Sequence, residues 1–172
     1  RTTMVRPGVV YRFLYANRGP WAIHILDVDR DRCWDLRAVK SGNRAVGRER
    51  TSASVASLAT TADVAGGVNA DFFLTTGPLA GLPVGAFIAG GRVVAGPGAQ
   101  AVFATDPAGA PFIGVLGVAG RMAGRGASLE ITGWNRDAPR GLALFDAAWG
   151  ERTDTASSIV EVALEGSGGR RR

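Results

Sequence analysis

Val9-Val10-Tyr11-Arg12-Phe13-Leu14-Tyr15, followed shortly by Trp21-Ala22-Ile23-His24-Ile25-Leu26-Asp27-Val28, decides the class of this chain. Both runs are β-branched and aromatic. The second alternates, with Ile23 and Ile25 on one side and His24 and Leu26 on the other, the period-2 signature of a strand. Asp27, Asp29, Arg30 and Asp31 read as the turn that follows, and Trp34 to Val39 as the returning hairpin partner. One helix is expected, capped by Thr51 or Ser52 and running to about Asp63. Val55, Leu58, Ala59 and Ala62 give it one narrow apolar face, and Gly66-Gly67 stop it. Val68 to Leu74 then reads as a buried strand.

Beyond Gly77, Gly and Pro recur and the pattern is one of loops and short strands. Ala86–Ile88 and Val93-Val94 flank Gly90-Gly91, a two-residue hairpin signal. Ala101–Ala104, Phe112–Val118, Ser128–Thr132, Leu142–Phe145 and Ile159–Leu164 are further strand candidates. The expected fold is α+β: a mixed, largely antiparallel sheet with one main helix. It forms one domain over residues 1–165 with a flexible polar tail at 166–172.

Hydrophobic residues make up 46% of the 172, enough for a core, and no apolar run approaches the roughly 18 residues of a membrane span. The net charge of +5 is not a nucleic-acid footprint, because Arg170, Arg171 and Arg172 supply three of those charges. Nucleic acid is therefore not an expected partner. Cys33 is the only cysteine, so no internal disulfide is possible; it reads as an apolar filler at a strand end. His24 reads as a hydrogen-bonded core histidine. A calcium loop starting at Asp27 fails on spacing, since Arg32 and Ala38 stand where Gly and Glu are required. No metal or cofactor is expected.

The most unusual local sequence is Val68-Asn69-Ala70-Asp71-Phe72-Phe73, reached through Val64-Ala65-Gly66-Gly67. It resembles the signature strand of the phosphodiester glycosidase family, which includes the lysosomal enzyme that uncovers mannose 6-phosphate by removing N-acetylglucosamine from its diester. Gly8–Tyr11, Trp21–Leu26, the helix start at Glu49–Ser52 and Gly81–Gly91 are similar in order and spacing. Ile131–Arg136, with Asn135-Arg136, resembles a segment of bacterial members. The resemblance runs over residues 8–165 and implies a secreted or cell-envelope hydrolase acting on sugar-phosphate diesters of envelope or exopolysaccharide material. The family's later Arg-Thr strand and its Leu-Asp-Gly-Gly-Gly-Ser segment are not in this sequence. The expectation is therefore an incomplete domain, inactive alone, with apolar surface exposed beside Val68–Leu74.

The residue chemistry is compatible. Cleaving a sugar from a phosphodiester calls for a carboxylate at the developing oxocarbenium ion and cations at the phosphate. Asp71 is the first carboxylate candidate, Asn69 a hydrogen-bonding partner for a sugar hydroxyl, and Glu49 a second carboxylate. Arg48, Arg50 and Arg136 are the candidate phosphate ligands, since a guanidinium matches two phosphate oxygens. Asn135 and Glu161 complete the set of expected substrate-binding residues. Asn69 and Asp71 have a second reading, satisfying backbone groups at a loop, and Arg48-Glu49-Arg50 one as a solvated approach to the helix. The alternative function is a non-catalytic carbohydrate-binding or envelope-interaction module.

Overall fold

The computed structural model describes residues 1–138, 141–153 and 160–164. Among them the fold is α+β, with one helix and small, mostly antiparallel sheets. The opening hairpin forms as its alternation requires: β2 (Val9–Ala16) pairs with β3 (Trp21–Val28), Tyr11 opposite Leu26 and Phe13 opposite His24. The third strand is not the expected Trp34–Val39, which is irregular, but β1 (Thr2–Arg6), antiparallel to β2. Two local features turn the chain away from a return. Asp29 caps a 3-10 turn at Arg30–Arg32 through the Asp31 N–H, and Cys33 then sits at φ 62. Cys33 is exposed, so it fills no core position.

The helix α1 (Thr51–Leu58) is shorter than expected. Arg50 occupies the capping position and no side chain caps the end. At the other end the Thr60 and Thr61 hydroxyls hydrogen-bond the Ser57 and Leu58 carbonyls, an alternative to continued helix that Thr offers readily. Val55 and Leu58 of the expected apolar stripe are half-buried, with Ser54 beside them and Ala62 beyond the helix end, while Ala59 is exposed. The segment after α1 rests on the first sheet: a Cβ on Gly66 would meet Leu26, and Arg6 pairs with Asp63 at 3.9 Å.

Four further strand pairings follow the Gly-rich stretch. β4 (Phe87–Ala89) and β5 (Arg92–Ala95) form the hairpin around Gly90-Gly91, both at positive φ, which a tight hairpin turn demands. β6 (Ala101–Thr105) pairs with β7 (Pro111–Val115). β9 (Ala127–Trp134) lies between β8 (Gly120–Gly124) on one side and β10 (Leu142–Leu144) on the other. The β9–β10 pairing is parallel, and it makes the ensemble mixed. The expected strand at 159–164 does not form over its described part: Val160, Val162 and Leu164 are exposed and irregular, and Ile159 lies outside the described residues, as does the expected tail. No helix among the described residues is long and apolar enough to cross a membrane.

The core is small. Ala45, Leu82, Ala95 and Trp149 are buried together, with Val46, Leu79, Phe87 and Phe145 packed around them. The total accessible surface is 13394 Å², against about 8,000 Å² for a typical folded monomer of this mass. Much apolar surface is therefore open, including one face of the first sheet (Met4, Leu14, Trp21, Ile23, Ile25) and the Phe72 and Val68 side chains.

Gly81 couples the core to the segment that contains Asp71. It sits at φ +97, and any Cβ there would overlap the Gly47 carbonyl. Gly81→Ala should therefore lower the stability of the Leu82 core by more than about 2 kcal/mol, from the strained φ and the backbone clash together. The midpoint of urea unfolding reads this directly, and an unchanged midpoint contradicts the packing described.

Candidate functional site

The Val68–Phe73 segment is not a buried central strand. Phe72 is 80% exposed and Val68 70%, and the only ladder contact is an isolated antiparallel bridge between Phe73 and Pro83. Asp71 supplies the physical reason. Its Oδ1 accepts the Phe72 N–H at 2.7 Å, so a local side-chain bond takes the donor that a longer ladder would use. What forms instead is a short two-armed loop. The Phe72 carbonyl accepts Val84 N–H at 2.9 Å, Leu74 N–H donates to Leu82 at 2.9 Å, and Gly81 N–H donates to Leu74 at 2.7 Å. Arg48 holds one arm, donating from Nη1 to the Thr75 carbonyl at 3.0 Å.

Arg136 holds the other arm. Its half-buried guanidinium donates to the carbonyls of Pro83, Gly85 (3.3 Å) and Gly96 (3.2 Å). Burial lowers its pKa from the usual arginine value, and the charge of Asp71 works in the opposite direction. Arginine stays protonated in either case. No ion pair or hydrogen bond joins Asp71 to Arg136, whose guanidinium is spent on backbone carbonyls.

Asn135, the residue before, is fully buried at 0% exposure and at φ 46. Its Nδ2 donates to the Val94 carbonyl at 3.0 Å and to Asp146 Oδ1 at 2.7 Å, and its Oδ1 accepts Asp146 N–H at 2.9 Å. Its own N–H donates to Leu144 at 2.8 Å. The expectation that Asn135 binds substrate is corrected here, because every polar atom of its side chain is spent inside the protein and none reaches solvent. Asp146 completes the lock, accepting Ala148 N–H at 2.8 Å and the Arg92 guanidinium at 3.1 Å. Partial burial disfavours its charge. The donors from Asn135, Ala148 and Arg92 outweigh that cost, and the carboxyl titrates below its ordinary range.

The other expected residues are dispersed. Asn69 is exposed just ahead of Asp71. Glu49 accepts the Ser54 hydroxyl at 2.9 Å, a contact at the start of α1, while Arg50 is exposed at the helix cap. Glu161 accepts the Thr153 hydroxyl, and it does not lie on a strand. Arg48 and Arg136 therefore brace the loop that carries Asp71 through its backbone, and neither makes an ion pair with Asp71. The Asp146–Arg92 half of the lock was not expected; its signal in the sequence is Phe145-Asp146-Ala147-Ala148, an Asp placed to accept the N–H two residues on. None of the expected residues lines the surface depression of about 530 Å³ among Met4, Gly8, Val10, Asp27 and Arg32. Among the described residues no three His, Cys, Asp or Glu side chains converge as metal ligands. No family model, curated protein or solved structure matches the chain.

Two measurements check this geometry. Asn135→Ala strands the buried Val94 carbonyl and should cost about 2–3 kcal/mol in equilibrium unfolding; a loss under about 0.5 kcal/mol contradicts the lock. Asp146 has a depressed pKa in the folded state, so its contribution is complete above the unfolded carboxyl value near 3.9 and fades as pH falls through the lower folded value. The stability gap between the natural chain and Asp146→Asn should hold from pH 7 to about 5 and shrink below about 4. A gap that does not change with pH removes the charge from the lock.

Proposed function

We propose that this chain carries the substrate loop of a phosphodiester glycosidase and acts on glycosyl phosphodiesters in envelope or exopolysaccharide material. The observation that supports this reading most is an exposed carboxylate, Asp71, on a loop whose facing arm is held by a cation, Arg136. The chemistry needs little more at this point. The anomeric carbon–oxygen bond breaks, the electron pair leaves with an already stable phosphate monoester anion, and water supplies the hydroxyl that ends on the sugar, its other proton passing to the phosphate or to solvent. Such a leaving group needs neutralisation more than protonation. One carboxylate facing the oxocarbenium-like carbon and one guanidinium facing the phosphate meet those demands in outline. Asn69, exposed two residues before Asp71, is positioned in sequence to hydrogen-bond a sugar hydroxyl. The resemblance of the Val68–Phe73 motif supplies the secreted or envelope setting of this proposal.

A second reading, a carbohydrate-binding module without catalysis, is favoured by one observation: Glu49, the expected second carboxylate, is engaged with Ser54 at the helix start. Release of free sugar from a hexose 1-phosphodiester separates the two. It should be measured on this chain and on any longer reading of the same frame, each beside its Asp71→Asn form. The catalytic reading expects Asp71→Asn to lower kcat/KM at least about 100-fold in whichever form is active. Sugar release that survives Asp71→Asn, or no release from either length, leaves the binding module as the account.

A further inference from the structure

The first sheet ends on two strands of different character. β1 is short, its register with β2 shifts between Met4 and Arg6, and it stops at Arg6-Pro7. A break in the ladder, a charge and a proline are devices by which a sheet edge resists further pairing. β3, the strand at the other edge, has none of them. It keeps unbroken register with β2, from Trp21 opposite Ala16 to Val28 opposite Val9. Trp21–Leu26 contains no Asp, Glu, Lys or Arg, and the first carboxylate, Asp27, is held by Arg12 of β2. The free side of β3 presents alternate N–H and C=O groups, and among the described residues no backbone bond outside the β2 ladder takes them. Every residue from Trp21 to Ile25 is exposed.

We propose that β3 is a self-pairing edge, at which a second copy of this chain adds its own β3 antiparallel across a two-fold axis. Residues directly opposite in such a pair share a face, so the axis must pass beside a residue and not between two. Centred on Ile23, the ladder sets Ile23 beside its own copy and Trp21 beside Ile25, while Ala22 leaves room for the His24 ring on the other face. Aromatic and β-branched pairs of this kind are favourable cross-strand contacts. Centring on His24 or Ile25 instead places Trp21 or Ile23 against Asp27, and centring on Ala22 brings only Trp21–Ile23 into the ladder. The edge thus fits its own sequence in one register. It carries no charge by which to select an acidic or basic peptide, and that is why a second copy is favoured over a foreign strand. The contact also covers part of Trp21, which is 63% exposed in the single chain. Pairing along one edge buries less than the roughly 1,200 Å² of a small specific interface, so the dimer is reversible and set by concentration. It does not depend on the Asp71 reading.

Sedimentation velocity of the 172-residue chain from micromolar to near-millimolar concentration tests this, in reducing buffer so that the exposed Cys33 forms no disulfide. The natural chain should pass from monomer to dimer. Amide hydrogen exchange of Trp21–Leu26 should slow as the dimer forms, while that of Thr2–Arg6 stays the same. Ile23→Lys sets like charges opposite each other at the axis and should raise the dissociation constant about fivefold or more. Met4→Lys lies on the same open face but at the β1 edge, and should leave the constant unchanged. Circular dichroism checks that both variants are folded; if Ile23→Lys is not, exchange protection in the natural chain decides. A chain that stays monomeric throughout, a dimer protected elsewhere than β3, or a dimer undiminished in folded Ile23→Lys overturns the proposal. Loss of the dimer in folded Met4→Lys overturns it in favour of stacking between the open apolar faces.

Discussion

The side chain of Asn135 is the constraint on which the second half of the molecule depends. A buried amide left unpaired costs a few kcal/mol, so its position is tolerable only because Val94 and Asp146 satisfy it fully. In meeting that need it ties β5 to the end of β9 and to the chain leaving β10. It also fixes the backbone from which Arg136 projects toward Pro83, Gly85 and Gly96. The neighbouring cluster of Ala45, Leu82, Ala95 and Trp149 is too small to impose this arrangement by apolar burial alone. Polar groups do the specifying here, and apolar ones fill in around them.

Local chemistry explains which elements the sequence reveals. The β2–β3 hairpin is legible because alternation and β-branching agree over both strands, and the Gly90-Gly91 turn because only glycine accepts positive φ there cheaply. Strands β6, β7, β9 and β10 are legible to within a few residues. β1 and β8 are not, because Thr2–Arg6 and Gly120–Gly124 are polar or glycine-rich and owe their strand form to a partner already in place. Val68–Phe73 looks buried because apolar residues surround Asp71, yet that same carboxylate captures the Phe72 N–H and breaks the ladder. Trp34–Val39 fails as a strand for a comparable reason, the Asp29 cap and the left-handed Cys33 redirecting the chain.

Of the candidate site, Asp71 and Arg136 are legible as a carboxylate and one of three candidate cations for the same substrate, but not the backbone carbonyls that the Arg136 guanidinium holds. The two residues are 65 positions apart in the chain, and the pairing of the 72–74 and 82–84 segments brings the loop of Asp71 to the carbonyls that Arg136 holds. Asn135 was visible for the wrong reason, since an amide beside an arginine looks like a ligand-binding pair until its burial is known. His24 is hydrogen-bonded as its strand position suggests, but it is exposed beside the half-buried Tyr11 and Phe13 and not in a core. The apolar surface beside Phe72 and over the first sheet is large, the counterpart of a core limited to a few residues.

The claim at the centre of this account is that Asp71 and Arg136 together face a sugar phosphodiester. A nuclear magnetic resonance titration of the isotopically labelled chain with the methyl phosphodiester of a hexose 1-phosphate addresses it without requiring turnover. The account predicts saturable shifts concentrated at the Asp71 and Phe72 amides and at the Arg136 Nε–H, and their loss on Asp71→Asn. Shifts confined to other surfaces, or none at millimolar ligand, would contradict it.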